Sequence, residues 1–365
     1  MKGREIRASR INNRKGWRLA EQVRVIVCGF GRVGREFARL VHEKSGLLRA
    51  AYGLEPSIVG VGELNGSLHS PDGIDVVETA DAFEREGGFT SHPNLVADWQ
   101  GLDLVRSASA DTLIETTPTD IRTGEPALSH IREALGRGIH VVSANKGPFI
   151  RAYRELTALA REKNLNLKIS AAAAAALPTI DVAETCLAGA EILKVEGVLN
   201  GTTNFILSRM RTNGQSYEEA LAEAQALGIA ETDPTLDVEG FDTANKLALI
   251  ANVCMGADLT PDDLERTGIA GISLGEVQGA SAEGKIMRLV GVAKRDESGR
   301  VSARVAPELL PPDHPLAGVE GAEKGITYTS DTMDRVTVVG GKSDPRGAAA
   351  ALLKDLINIY RHSSS

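Results

Sequence analysis

Between Ala224 and Lys246 the chain carries five acids, Glu231, Asp233, Asp237, Glu239 and Asp242, and one base, Lys246. Carboxylates at this density suit a substrate ammonium group, which they would grip through charge-assisted hydrogen bonds. A lysine among them suits proton transfer to or from an oxygen, the work of a general acid or base. The plain alternative is a solvated acidic loop with an Asp-Pro turn, the usual outcome of a charge run. Asp242 and Lys246 stand i, i+4 in a predicted helix from Phe241 to Met255, so they share a face. On a solvated helix such a pair contributes roughly a few tenths of a kcal/mol. In a cleft it would hold and tune a reactive lysine. A second lysine, Lys146, follows Ala144-Asn145 at the end of a predicted strand, where a site role competes with that of an ordinary surface lysine.

The other chemical signature lies near the start. Val23–Cys28 is a β-branched run, followed at once by Gly29-Phe30-Gly31-Arg32-Val33-Gly34 and a helical pattern from Arg35 to Lys44. Strand, glycine-rich turn and helix in this order bind a dinucleotide. The glycines allow the tight turn, the close approach of backbone to pyrophosphate and close helix–strand packing. Glu63, at the end of a second strand from Ser57 to Gly62, is placed to accept hydrogen bonds from the adenosine ribose hydroxyls. Its distance from Gly34 exceeds the usual spacing of about 20 residues, because Ser45 to Pro56 reads as an insertion. Leu64-Asn65-Gly66-Ser67 offer no base to a 2′-phosphate, which favours NAD over NADP, although Arg32 is within reach of such a group.

These residues need a scaffold. Helices predicted over Ile74–Glu86 and Glu125–Arg137 alternate with strands over Asp111–Thr116 and Ile139–Ser143. That alternation predicts an α/β domain with a Rossmann-type, doubly wound parallel sheet. Ligands of such sheets bind beyond the C-terminal strand ends. The rule gathers Gly29–Gly34, Glu63, Thr116, Thr117 and Lys146 on one rim.

Past Ile150 the composition shifts. A helix from Tyr153 to Lys163 and a strand from Leu165 to Ser170 lead into six alanines, Ala171 to Ala176. They are helical by propensity until Leu177-Pro178. A strand from Ile192 to Leu199 precedes Asn200-Gly201-Thr202-Thr203-Asn204 and a helix bearing Phe205, Ile206, Leu207 and Met210. Ser216–Glu219 is a capping box opening a helix that ends near Gly228, and Thr260–Asp263 caps a short one. Met287–Ala293 and Val301–Val305 read as antiparallel strands of a mixed second sheet. Arg335–Val339 and a helix from Arg346 to Tyr360 read as a strand and helix returning to the first domain. The predicted organisation is a basic extension over 1–22, a dinucleotide-binding domain over 23–150 completed by 335–361, and a second α+β domain over 151–334.

Composition excludes other classes. A net charge of -8 and a pI near 5.5 oppose binding to nucleic acid, which needs a basic surface. No apolar run is long enough for a bilayer, and the basic start lacks the apolar segment of a secretory signal. Cys28, Cys186 and Cys254, odd in number and far apart, fit a reducing cytoplasm and give no zinc spacing. The seven histidines are scattered, so no metal site is expected.

Taken together, Gly228, Glu231, Asp233, Pro234, Asp237, Gly240, Asp242 and Lys246 form the pattern G-x-x-E-x-D-P-x-x-D-x-x-G-x-D-x-x-x-K. From about Val23 to Tyr360 the sequence resembles the homoserine dehydrogenase family, with Ala144–Lys146, Asn200–Asn204 and His314-Pro315-Leu316-Ala317 in family order. The resemblance is to the single-function form, without an ACT module or an aspartate kinase.

It implies NAD(P)-dependent interconversion of L-homoserine and L-aspartate 4-semialdehyde, in threonine and methionine biosynthesis, by a homodimer joined through the second domain. It implies that Glu231 and Asp237 fix the substrate ammonium, and that Gly201 and Thr202 approach its carboxylate, Gly201 through an accessible backbone N–H. Lys246 and Lys146 would face the reacting oxygen, with Asp242 orienting Lys246.

Three departures stand out. The family's cation-binding loop, E-A-x-V-x-G-G-x-P, reads Ser170 to Pro178 here. Loss of its carboxylate counts against a monovalent cation, and alanines in place of glycines are expected to block positive φ. An aromatic two residues before Glu231 is Ile229, and the glycine-rich turn before the last helix is altered, reading Gly340 to Gly347. The alanine run motivates two alternatives: a paralogue acting on another small amino or hydroxy acid, and a non-catalytic nicotinamide-binding sensor. Aspartate-semialdehyde dehydrogenase chemistry is disfavoured, since it needs an active-site cysteine in a motif none of the three occupies.

Overall fold

The computed structural model describes residues 20–341 and 344–361. Most of the basic extension therefore lies outside the described residues, and its last two members already belong to the sheet: Glu21 and Gln22 open strand β1 (Glu21–Cys28) and pair with Leu54 and Glu55. Val25, Ile26, Val27 and Cys28 are fully buried, as expected of a central strand covered on both faces.

Around β1 the chain builds seven strands: β2 (Leu54–Glu63), β3 (Gly66–His69), β4 (Leu95–Val96), β5 (Thr112–Glu115), β6 (His140–Ser143) and β7 (Leu167–Lys168). Their order is β4-β3-β2-β1-β5-β6-β7. The five strands from β2 to β7 run parallel, as the alternation predicts, while β3 and β4 add antiparallel on the β2 edge. That hairpin is absent from the sequence reading. The turn is Leu64-Asn65, and Gly66, at φ 122°, opens β3 opposite Glu63. The segment read as an insertion is short helical turns from Ser45 to Tyr52, closed by Gly53 at φ 65°, plus the first residues of β2. A helix over Gly101–Ser107 was likewise not anticipated.

The second sheet contains β8 (Ile192–Val198), β9 (Glu265–Arg266), β10 (Ile286–Arg295), β11 (Val301–Leu310), β12 (Lys324–Ser330) and β13 (Asp334–Gly340), ordered β13-β12-β8-β10-β11-β9. It is mixed, with β9 parallel to β11 and the other pairs antiparallel. Here one expectation is corrected. β13 does not return to the first domain; it pairs with β12, Lys324 opposite Gly340. Only three residues separate these strands, too few for anything but a hairpin. The helix that follows, Pro345–Arg361, does return: Ala349, Leu352, Leu353 and Leu356 share a core with Phe37, Ala38 and Val41 of the helix Arg32–Glu43.

Two local outcomes bear on the site. The helix expected from Tyr153 does start there, after a kink at Ala152 (φ −145°, ψ 30°). A short helical segment not anticipated precedes it from Gly147, with Lys146 as its cap residue and Pro148 in its first turn, where a missing N–H costs nothing. Alanine 171–176 folds as propensity dictates over Ser170–Ala174, then turns at Ala175 with φ 54° and ψ −118°. The expectation that alanine blocks positive φ here is wrong: the surrounding core imposes it, at a cost of about 1–3 kcal/mol. Ala175→Gly is accordingly expected to raise the thermal midpoint, by relieving about 1 kcal/mol of strain; an unchanged or lower midpoint in a melting scan would contradict this. Among the described residues no helix is long and apolar enough to cross a membrane.

Candidate active site

The glycine-rich turn is built for close approach. At Gly29, with φ 89°, a Cβ would fall 2.5 Å from the Thr117 nitrogen, and at Gly34 it would fall 2.2 Å from the Gly29 carbonyl oxygen. Both glycines are thus required by the protein itself. Gly31 differs: among the described residues a Cβ there would meet nothing within 4 Å. It opens the helix Arg32–Glu43, whose first turn receives no side-chain cap. Free N–H groups at the positive end of a helix, beside open space, fit a dinucleotide pyrophosphate. Gly34→Ala is expected to weaken NAD(P) binding at least about tenfold, since the added methyl displaces Gly29 from the turn. Calorimetric titration checks this, and unaltered affinity would remove the turn from the cofactor site.

The other rim residues hold the turn in place. Thr116 Oγ1 donates to the Gly29 and Cys28 carbonyls at 2.6 and 3.1 Å. The Glu63 carboxylate accepts the Phe30 backbone N–H, so one of its oxygens braces the turn. Phe30 contributes only backbone: its ring is fully buried against Phe83 and Phe89. Val33 is half-buried, and Arg32 is exposed beside Arg35, Arg39 and Arg346. Thr117 directs its N–H and hydroxyl to Glu115, a buried carboxylate whose second oxygen lies 2.8 Å from His130 Nδ1. Asn145 carries this order onward. Its Nδ2 donates to the Thr117 and Pro118 carbonyls at 3.0 and 3.1 Å, and its Oδ1 accepts from Gly147 N at 2.9 Å. Lys146, between Asn145 and Gly147, is thereby fixed to the rim.

From there Lys146 reaches the second domain. Its Nζ lies 2.6 Å from Asp242 Oδ1, while Lys246 Nζ lies 2.5 Å from Asp242 Oδ2 and 3.0 Å from the Leu199 carbonyl. One carboxylate therefore carries both lysines, a pairing that spans 96 residues on one side and one helical turn on the other. Asn200 Nδ2 adds a bond to Asp242 at 3.0 Å and to Asp237 at 2.6 Å. Burial disfavours charge on Asp242, but the two ammonium groups and their hydrogen bonds outweigh it and hold its carboxyl far below the usual range.

Asn200, Asp242 and Lys246 line a cleft of about 640 Å³ with Gly201, Thr202, Ile229, Asp237, Gly341 and Asp344, and Lys146 touches it through Asp242. Gly201 and Thr202 open the helix Gly201–Asn213, which Asn200 caps through a 2.9 Å bond from Thr203 N. A helix start facing the cleft suits a carboxylate. Gly201 is glycine for a further reason: a Cβ would lie 2.7 Å from the Ala322 carbonyl oxygen. Thr202 Oγ1 donates to the Ile229 carbonyl at 3.0 Å, tying the acidic segment to this helix.

Not every expected residue arrives. Glu231 is exposed and outside the cleft lining; its main-chain carbonyl is held by Gln225, at 3.1 Å. The resemblance pairs it with Asp237, which sits in the helical turn Thr235–Val238 and does line the cleft. Asp233 caps that turn through Thr235.

Lys324, which nothing in the sequence marked, lies 1% exposed with its Nζ 2.6 Å from the Ala174 carbonyl. Burial, then the charges of Lys246 and Lys146, push its pKa down to about 7, against the opposing pull of Asp242 and Asp344.

Moving a hydride to or from a carbonyl carbon requires a nicotinamide on one side and a proton carrier on the other. The rim answers the first need and the lysine pair the second, which defines an NAD(P)-dependent dehydrogenase of an alcohol–carbonyl pair. The homoserine dehydrogenase family model matches residues 178–357. The chain is 37% identical to the homoserine dehydrogenase of Methanocaldococcus jannaschii, over 92% of this chain and 98% of that protein. It is equally 37% identical to the NAD(+)-dependent homoserine dehydrogenase of Pseudomonas canavaninivorans, over 94% and 97% of the two chains. A putative homoserine dehydrogenase from Archaeoglobus fulgidus superposes with a TM-score of 0.83 at 35% identity, covering 93% of this chain and 99% of that one. A hyperthermophilic archaeal homoserine dehydrogenase in complex with NADPH gives 0.79 at 27% identity, over 93% and 98%. The chain belongs to the homoserine dehydrogenase family.

Proposed function

We propose that the protein interconverts L-homoserine and L-aspartate 4-semialdehyde with NAD(P), serving threonine and methionine biosynthesis. The observation that carries this reading is the Asp242 carboxylate holding Lys146 and Lys246 together in the cleft below the dinucleotide rim. In the reductive direction bound NAD(P)H supplies hydride to the aldehyde carbon. The chain then has to place the substrate and bring a proton to its oxygen. Asp237, with one oxygen engaged by Asn200, offers the other to the substrate ammonium; the family resemblance adds Glu231, which stands exposed outside the lining. The Gly201 and Thr202 N–H groups receive the carboxylate. An ammonium has three N–H donors; Lys246 directs two to Asp242 and Leu199, which leaves one for the reacting oxygen. Lys146 shares Asp242 and adds positive charge where the oxygen becomes anionic.

Absorbance at the nicotinamide band, with homoserine and either cofactor, tests the proposal. Turnover is expected with both and a higher kcat/KM for NAD, because Glu63 ends β2 with no base in the following turn. No turnover with either cofactor would sink it. Oxidation of a different small hydroxy acid would favour the paralogue, and cofactor binding without turnover would favour the sensor.

The same reading divides the chain into a dinucleotide-binding part, 23–150 with the helix Pro345–Arg361, and a catalytic part from 151 to β13. It also makes the protein a cytoplasmic homodimer. Free thiols at Cys28, Cys186 and Cys254 support the location. A concave face of the second sheet supports the dimer, lined by Glu196, Val290, Val292, Arg304 and His314 with a volume of about 1000 Å³. Light scattering should then give about twice the chain mass of 38.7 kDa, and a monomer mass would refute the assembly.

A further inference from the structure

A lysine is rarely buried unless its charge is matched. β12 places Lys324 beneath the cleft, and the Ala174 carbonyl is its hydrogen-bond acceptor among the described residues. That carbonyl ends the helix Ser170–Ala174, immediately before the turn at Ala175. The segment touches both walls of the site. Ala172, Ala173 and Ala174 pack in one core with Leu247 and Ala248, just beyond Lys246. A Cβ on cleft-lining Gly341 would lie 2.6 Å from the Leu177 nitrogen. A shift of this loop would therefore move the helix that carries Asp242 and Lys246.

The loop corresponds to the segment that resembles the family's cation-binding stretch, and its groups do not fit a free monovalent ion. Ser170 has no carboxylate and turns its N–H and Oγ to Asp355, at 3.1 and 2.9 Å. The carbonyls of Ile169, Ala171, Ala174 and Leu177 already accept main-chain N–H groups. Ala174 also receives the ammonium. An ammonium on a side-chain stem finds an acceptor for an N–H in the Ala174 carbonyl, and the charges of Asp242 and Asp344 offset part of the cost of burying it.

We propose that Lys324 is a tethered cation, its ammonium docked on the Ala174 carbonyl to fix the alanine loop under the cleft, so that turnover requires no free Na+ or K+. Lys324 is a positioning residue acting through the loop. The kinetic part of this proposal rests on the dehydrogenase reading; the thermal part does not.

The test compares full-length wild type, Lys324→Ala and Lys324→Met in choline, sodium, potassium and methylammonium chlorides. Semialdehyde reduction and thermal midpoint are both followed, at about pH 6.5 so that the amine stays charged. Wild type is expected to show rates within about twofold across the salts and one common midpoint. Lys324→Ala should fall at least about tenfold in choline, then recover rate and midpoint as methylammonium or sodium enters the vacated space. A wild-type rate or midpoint that climbs with sodium over choline would overturn the proposal. So would a folded Lys324→Met with full rate in choline, a variant that keeps the volume without the charge if Lys324→Ala precipitates. Should wild type reduce no semialdehyde, the dehydrogenase reading fails, and the midpoints still decide for or against Lys324.

Discussion

Lys246→Ala is expected to lower kcat by about 10²–10⁴-fold, with cofactor affinity unchanged. The reason is geometric. Lys246 Nζ is held by Asp242 and the Leu199 carbonyl, with a single N–H left for the reacting oxygen. Loss of a group acting only as oxygen charge develops lowers kcat and kcat/KM together and leaves ground-state binding alone. The fold should survive, because Lys146 and Asn200 still hold Asp242. Lys246→Arg separates charge from proton transfer. Its guanidinium keeps the ion pair but does not give up a proton in this pH range, so it should be nearly as slow as Ala. Single-turnover reduction measured by stopped flow checks both variants. A rate close to wild type for Lys246→Ala would transfer the acid role to Lys146, whose Nζ has, among the described residues, only the Asp242 bond.

How much of this was readable in the sequence follows from the range of each interaction. The glycine-rich turn is local: its strand, glycines and helix lie within about one βα unit, and Gly29 and Gly34 answer steric demands that the structure shows directly. Asp242 and Lys246 were legible for the same reason, being one helical turn apart. What sequence could not show was the partner across the chain. Nothing local to Asn145-Lys146 announces Asp242, and Asn200 was read as part of a motif without its bonds to both acids. β13 has the composition of a strand for either sheet, and only the short link to β12 chooses between them. Lys324 is the extreme case. Between Glu323 and Gly325 it looks like a surface lysine at a turn, and only the packing of β12 against the alanine loop buries it. Glu231, paired with Asp237 by the family resemblance, stands exposed outside the cleft lining, a separation that spacing alone does not show.

Asp242→Asn carries the second large effect, on stability as well as rate. The carboxylate is the counter-charge of two ammonium groups whose side chains are only 21% and 15% exposed. An amide of the same shape leaves both ammonium groups without that counter-charge where they are mostly buried. Breaking a buried pair by removing one member costs about 3–5 kcal/mol. Without the carboxylate that holds it, Lys246 is no longer aimed at the reacting oxygen, and kcat falls at least about 10²-fold. The pH dependence distinguishes this from simple loss of packing. Asp242 is held well below the usual carboxylate range in the folded protein. Its contribution is therefore fully present above the unfolded value of about 3.9 and is lost as pH falls toward the folded one. Urea titrations should show the full deficit of the Asn variant at neutral pH and a narrowing gap below about pH 4, where the unfolded wild type gains a proton that the variant cannot. An equal deficit at both pH values would mean that Asp242 acts through its shape, and the lysine pair would then need another source of order.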